Sequence, residues 1–326
     1  MLAHSEYRLF LARRQGRAVG RVLAYVDHSF NRHYGSAIGF FGSFECADDP
    51  EAADALLGEA ERWLAARGMT AVRGPINPVS ECWGFLLEGY GRPPVFLSPY
   101  NPPSYHVYAT GRGFAKVKDL LVYEADARAG YRIPDRFLRF RDRLLARRPA
   151  FKVRRLEPRY FAREAEAIWR ITNEAVGGNW GYVPLDREEL AEVFRQLKPI
   201  ADPDAVWLVE DGGEPAGYAL GFPDINVILR RIRGRLLPFG FLRLLAGARR
   251  LRDYRLFGLA VRPAYHGLGL DVLLYVSLFE ALQPRGVHLE ANYILEDNVQ
   301  IRNALEKLGL AQTKSYRVYE KELTPP

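Results

Sequence analysis

One stretch of the chain has residue types and spacing suited to holding phosphate: LFGLAVRPAYHGLGLDVLLYVSLFEAL, beginning at Leu256. Its apolar strand-like run ends at Val261, a loop follows, and helical periodicity starts just after Gly269. A loop that feeds a helix in this way turns successive main-chain N–H groups toward one point, at the positive end of the helix dipole. Glycine at 267 and 269 removes the Cβ that would hold a ligand off the main chain. His266, Gly267, Leu268, Gly269 and Leu270 are therefore candidates to cradle a pyrophosphate. Two glycines one residue apart also occur in plain turns, so the loop has to be judged with its surroundings.

Those surroundings occur twice. GFAKVKDLLVYE, from Gly113, and GLAQTKSYRVYE, from Gly309, are identical at half of their aligned positions and close on the same Val-Tyr-Glu. The other ends correspond as well: RLFLARRQGRAVGRVLAYVD around Gly20 and VWLVEDGGEPAGYALGFPD around Gly217 both read as strand, Gly-bearing turn and strand. The offset is about the same at both ends, which divides the chain into a copy at 1–150 and a copy at 151–326.

In the second copy KVRRLE near Lys152 reads as a strand, and Phe161 to Val176 and Arg187 to Leu197 as helices. After the hairpin come a strand at Leu256 to Val261, a helix at Asp271 to Leu282 and a strand at Val287 to Ile294. A helix at Asn298 to Lys307 and the closing strand complete it. The first copy repeats this order only from the hairpin onward, with a strand at Ile38 to Phe44 and a helix at Asp54 to Ala66. It lacks a first strand and helix pair, which leaves either a sheet edge for the second copy to cover or a native start further upstream. Between its strand and its helix lie Asp48, Asp49 and Pro50, with no glycine, so this copy has carboxylates where phosphates would sit.

Strand, V-x-P-x-Y-x-G-x-G, helix, strand, E-D-N opening a helix that closes at E-K-L-G, and a strand ending V-Y-E: this order resembles the GNAT N-acyltransferase superfamily. The likeness covers the second copy from about Lys152 to Leu323 and, more weakly, the first, so the chain looks like a tandem GNAT protein. The resemblance implies an α/β (α+β) fold of two domains, each a mixed, mostly antiparallel twisted sheet flanked by helices, the first truncated at its N-terminus. It implies an acyl-CoA cosubstrate, acetyl-CoA first, and no metal. Leu259 and Val261 would lend main-chain groups to the acyl arm, His266 to Leu270 would hold phosphate, and Asn298 would face the pantetheine. Three positions depart from the family pattern. His266 stands where Arg or Gln belongs, Asp271 where a small residue belongs, and Leu305 where a proton-donating Tyr often stands.

Acyl transfer to an amine needs a base, and Glu290 on the strand after the cofactor helix is the first candidate, against a reading of it as a solvated strand residue. Tyr293 or a water then protonates the departing thiolate. Asp224 and Asn226 after the hairpin, with Asn179, Trp180 and Tyr182 in GGNWGYVPL, are candidates to bind the acceptor; the alternative for the aromatic pair is a plug over the core. The stretch 227–255, VILRRIRGRLLPFGFLRLLAGARRLRDYR, carries nine Arg against one Asp and is broken near Pro238 into two short helices. It reads as an amphipathic lid, as an anchor to a membrane surface, or, least well, as an RNA-contacting arm.

The totals bound these readings. A chain of 326 residues with 48% hydrophobic and 26% charged residues suits two soluble domains. There is no run long enough to cross a bilayer and no secretory signal, and two cysteines make no disulfide framework, so the cytoplasm is the default location. A net charge of +7 admits acidic partners without choosing among them. Three functions follow: an acyl-CoA-dependent N-acyltransferase acting on a small amine or amino acid, a non-catalytic binding module on the same fold, or an aminoacyl-tRNA-dependent ligase.

Overall fold

The chain turns back at Gln15 and Gly16, both at positive φ (50° and 80°), and there forms its opening hairpin, β1 (Ser5–Arg14) antiparallel to β2 (Arg17–Asp27). The structure, a computed structural model, describes residues 5–78, 82–184, 186–248 and 250–324. Next come α1 (His28–Tyr34), β3 (Ile38–Cys46), α2 (Pro50–Ala65), β4 (Ala71–Gly74), β5 (Phe85–Glu88), α3 (Ser104–Gly111) and β6 (Ala115–Asp126). The chain continues through α4 (Asp135–Arg147), β7 (Phe151–Arg155), α5 (Phe161–Ala175), α6 (Arg187–Leu197), β8 (Val206–Asp211) and β9 (Glu214–Pro223). It ends with α7 (Asn226–Arg231), α8 (Gly240–Ala248), β10 (Asp253–Val261), α9 (Leu270–Leu282), β11 (His288–Leu295), α10 (Val299–Lys307) and β12 (Ala311–Glu322).

The chain folds as two compact units. The first takes residues up to Leu121, Leu295–Asp297 and the chain from Thr313; the second takes Val122–Ile294 and Asn298–Gln312. In the first the strand order is β1-β2-β3-β4-β12, with β5 also on β12; β3 and β4 run parallel and the other pairs antiparallel. In the second the order is β6-β11-β10-β9-β8-β7, with β10 and β11 parallel and β7 to β10 antiparallel. Each unit is thus a mixed, mostly antiparallel sheet carrying helices.

Relative to the repeat in the sequence, the units trade their closing strands. Val122-Tyr123-Glu124, at the end of the first repeat, lies in the second unit beside β11; Val318-Tyr319-Glu320, at the end of the second repeat, lies in the first unit on β4. Val122, Tyr123, Val318 and Tyr319 are all buried, so each segment contributes apolar surface to the unit that takes it.

The first core packs Val22, Phe41, Leu56, Trp63, Phe85, Phe114 and the exchanged Tyr319 together. The second packs Ile168 and Ile171 of α5 and Phe194 of α6 on Leu208, Leu220 and Phe222. Helix α9, LDVLLYVSLFEAL, is apolar nearly all round and must be covered on more than one side. It packs on β8, β9 and β10 and also meets α4, where Arg141 pairs with Glu280. Among the described residues no helix is long and apolar enough to cross a membrane, and no group of side chains is arranged to hold a metal. Among the described residues Cys46 and Cys82 form no disulfide, and both are half-buried rather than fully so.

Candidate functional site

The site is built where β10 leaves β11. The two strands pair in register only from Asp253–Leu256 to His288–Ala291. On its other side β10 pairs with β9 as far as Val261, with an irregularity between Leu256 and Gly258. Such a bulge bends a strand and increases its twist. Beyond it β10 keeps β9 and has no strand partner toward β11 among the described residues, so main chain from Phe257 to Val261 is open on that side. Leu259 and Val261 lie in this stretch, both half-buried. Open main-chain donors and acceptors along an extended strand suit an arm that carries amides, as pantetheine does.

The loop after Val261 is only partly satisfied by itself. The N–H groups of Tyr265, His266 and Leu268 donate to the carbonyls of Arg262, Pro263 and Tyr265 at 2.9, 3.1 and 3.3 Å. Those of Gly267, Gly269, Leu270 and Asp271 meet no protein acceptor among the described residues, and no side chain caps α9. N–H groups left without an internal partner at the start of a helix, at the positive end of its dipole, are of the kind that can receive an anion. Residues 267 and 269 both have positive φ, 76° and 84°, but differ in surroundings. A Cβ at 267 would meet open space, whereas one at 269 would lie 2.4 Å from Phe140 Cζ of α4. Gly269 therefore seats α4, and Gly267 leaves room for a ligand.

His266, where the family pattern has Arg or Gln, is exposed, and its ring Nε2 lies 2.9 Å from the Val261 carbonyl. Asp271 is half-buried in the first turn of α9, where its charge suits the dipole and opposes a phosphate. Asn298 caps α10, its Oδ1 accepting from Ile301 N–H at 3.1 Å. Leu305 is buried.

Where β10 and β11 do pair, alternate residues form a polar ladder, buried except at its Asp253 end. Asp253 stands opposite His288, and Arg255 opposite Glu290. Glu290 is 0% exposed and Arg255 1%, so the solvated reading of Glu290 does not hold. Asn292 Nδ2 donates to Glu290 Oε1 at 2.8 Å. The Arg255 guanidinium carbon lies 5.0 Å from the Phe257 ring centre and 5.2 Å from that of Tyr293. His288 bridges two carboxylates, Nε2 to Glu124 at 3.2 Å and Nδ1 to Asp253 at 3.3 Å. Burial pulls the His288 pKa down, but hydrogen bonds to Asp253 and Glu124 outweigh it and push it up to about 9.

Asp224 joins the ladder from β9: its N–H donates to the Asp253 carbonyl at 2.7 Å, and its Oδ1 accepts from Asn226 N–H at 3.1 Å. Asn179, Trp180 and Tyr182 belong to a separate turn after α5, tied to that helix by Tyr182 Oη donating to Asn173 Oδ1 at 2.7 Å. Trp180 and Tyr182 are half-buried, and Asn179 is exposed. Reading the sequence missed Arg255, His288, Asn292, Glu124 and the seat of Phe140. The signal available was the alternation Asp-Tyr-Arg and His-Leu-Glu-Ala-Asn on strands that the repeat places side by side.

The acetyltransferase (GNAT) family pattern matches residues 165–310. Protein YghO of Escherichia coli (strain K12) is 30% identical over 328 residues, spanning 98% of this chain and 83% of that one. A bacterial ceramide synthase of Caulobacter vibrioides is 32% identical over 333 residues, spanning 98% and 85%. Among solved structures, a tandem GNAT protein from the clavulanic acid biosynthesis pathway aligns over 99% of this chain and 85% of its own, with a TM-score of 0.55 at 13% identity. A GCN5-related N-acetyltransferase from Sphaerobacter thermophilus aligns over 95% and 78%, with 0.55 at 14%. With its split strand and its half-open glycine loop in the second unit, and a weaker copy of the same order in the first, the chain belongs to the GNAT superfamily as a tandem member.

Proposed function

We propose that the second unit transfers an acyl group from a long-chain acyl-CoA to the primary amine of a long-chain amino alcohol, giving an amide and free CoA thiol. The observation that carries this reading is the 32% identity, over 98% of the chain, with a relative named as a bacterial ceramide synthase. A ceramide is the N-acyl derivative of such an amino alcohol, so this acceptor and donor take the place of the small amine and acetyl group that the family resemblance suggested.

The chemistry assigned to the residues is as follows. Open N–H groups at Gly267, Gly269 and Leu270 bind the pyrophosphate, and the open edge of β10 from Phe257 to Val261 binds the pantetheine arm. The amine nitrogen attacks the thioester carbonyl; a C–N bond forms and the C–S bond breaks. Glu290 takes the proton the nitrogen loses, directly or through water, held in place by Asn292. Tyr293 returns a proton to the departing sulfur. Arg255, between the Phe257 and Tyr293 rings, positions the carboxylate opposite it rather than reacting itself.

The test is thiol release by the purified protein given a long-chain acyl-CoA and a long-chain 2-amino-1,3-diol dispersed in detergent, with the amide identified by mass spectrometry. Glu290→Gln should lower kcat by about 100-fold or more with little change in KM for the thioester. Thiol release with small amines only would remove the lipid acceptor. No release with any pair, despite tight CoA binding, would leave a binding module.

A further inference from the structure

The segment between β9 and β10 presents a second surface that the reaction above does not use. Its two ends are tied by the hydrogen bond from Asp224 N–H to the Asp253 carbonyl, and Ile225, Ile228, Ile232 and Ala248 are buried. Between those anchors α7, the turn after it and α8 bare large apolar side chains: Leu237 is 80% exposed, Phe239 68% and Leu242 51%, with Leu236, Phe241 and Leu245 exposed beside them in sequence. Arg230, Arg231, Arg233, Arg235, Arg243, Arg250 and Arg252 are exposed as well, and none forms an ion pair among the described residues. No acidic residue lies between Asp224 and Asp253.

We propose that this face docks on a lipid bilayer containing anionic headgroups. Exposed apolar patches of this kind mark interaction surfaces, and charge complementarity selects among partners. Leu237, Phe239 and Leu242 enter the acyl boundary while the arginines meet phosphates at the headgroups. A second copy of the chain is a poor occupant, because a two-fold contact would set seven guanidinium groups against the same seven with no carboxylate between them. Nucleic acid is poorer still, since four of the six protruding groups are leucines and only Phe239 and Phe241 offer a ring for stacking a base. The inference is independent of the proposed reaction. It places that reaction at a surface where long-chain acceptors dissolve, because the docking segment is rooted at Asp224 and Asp253, next to Arg255 on the strand.

Flotation of the whole protein with vesicles tests it, in a mixture containing neither thioester nor amine. Vesicles of phosphatidylcholine with phosphatidylglycerol should carry the protein upward, and phosphatidylcholine alone should not. Leu237→Glu with Phe239→Glu should reduce the bound fraction by about tenfold or more. Arg231→Gln and Arg235→Gln should each weaken binding by about fivefold at low salt and by less at high salt. These side chains are exposed, so unchanged thermal unfolding of the variants separates lost docking from lost folding. The proposal is overturned if wild type stays with the soluble fraction, if it floats equally with neutral vesicles, if the double variant floats like wild type, or if a polynucleotide binds where vesicles do not. A failure here leaves the acyl-transfer assay in detergent unaffected, and an inactive enzyme that still floats fails the reaction alone.

Discussion

The helix α2 of the first unit and the helix α9 of the second begin at corresponding places in the repeat and end their approach loops in opposite ways. At α2 the chain supplies its own anion. Asp49 accepts from Ala52 N–H at 3.1 Å, Arg14 grips both Asp49 oxygens at 2.6 and 2.8 Å, and a further bond runs from Arg14 to Glu51 at 3.0 Å. At α9 the capping position is a glycine and no side chain caps the helix. The wedges between strands differ in the same sense. After β3 and β4 stop pairing, the chain beyond β4 turns in: Ile76 N–H donates to the Phe41 carbonyl at 2.8 Å, and Asn77 Oδ1 accepts from Ser43 N–H at 2.6 Å. Among the described residues, no main-chain hydrogen bond carries the chain after β11 into the wedge beside β10. Main-chain polar groups must find partners, and a unit that partners its own leaves none for a ligand. The first unit is thus a self-satisfied version of the second.

The largest effect that bears on this contrast comes from writing the first unit's solution into the second. Gly267→Asp puts a carboxylate beside the open amides, at a position where a new Cβ meets no atom within 4 Å. Thioester turnover should fall by about 100-fold or more, mainly through KM, as like charge opposes the pyrophosphate. The positive φ should cost about 1 kcal/mol in urea unfolding. Initial rates over a range of acyl-CoA concentrations check this, and an unchanged KM would mean that the open amides of α9 bind something else.

A smaller effect is expected at the seat of α4. Phe140 lies over Gly269 but keeps 37% of its surface exposed, so Phe140→Ala should cost about 1–2 kcal/mol, below the range for a fully buried aromatic. Loosening α4 from Gly269 should raise KM for the thioester severalfold and leave kcat nearly unchanged. A change in kcat alone would assign Phe140 to the acceptor.

What the sequence disclosed divides along physical lines. The glycine loop, the hairpins and the break at Pro238 between α7 and α8 were legible because turn chemistry and periodicity act within a few residues. Asp49-Pro50 was read only as acidic, yet an N-cap followed by proline starts α2 at Pro50, four residues before the Asp54 expected. The exchange of closing strands was hidden because both end Val-Tyr-Glu, and nothing local distinguishes one sheet edge from another. Glu290 was ambiguous because polar residues alternating along a strand look alike whether they face water or a parallel neighbour with matching polar groups; only the pairing of Arg255 with Glu290 decides it. Asn298 was expected to face a ligand, yet its oxygen caps α10, a choice set by the helix it begins.

The ladder also separates the units by pH. In the first unit the corresponding pairs are Ile38 with Ala71, Gly39 with Val72 and Phe40 with Arg73, with no histidine among them. In the second, His288 is charged up to about pH 9 when folded and to about 6.5 when unfolded. A raised folded pKa contributes stability that is complete below the unfolded value and disappears as pH rises through the folded one. Thermal unfolding should therefore show Tm falling between about pH 7 and 9.5 in wild type. In His288→Gln, Tm should start lower at pH 7 and stay flat over the same range. Equal slopes in the two proteins would place the titration elsewhere.

The smallest effect should come from the first unit's cap, and its smallness is informative. Asp49→Ala removes the acceptor for Ala52 N–H and leaves Arg14 only Glu51, so Tm should drop by a few degrees. The hydrogen bond from Arg14 holds the Asp49 carboxyl below the usual carboxylate range, helped by the Ala52 N–H. A depressed folded pKa gives stability that is present above the unfolded value of about 3.9 and lost as pH falls through the folded one. Wild type and variant should then differ at neutral pH and converge in acid. Thioester turnover at pH 7 should be unchanged, because on this account the cap occupies a helix end that no substrate reaches. Loss of turnover without loss of Tm would show instead that the first unit takes part in the reaction, and that its self-satisfied loop is a site of another kind.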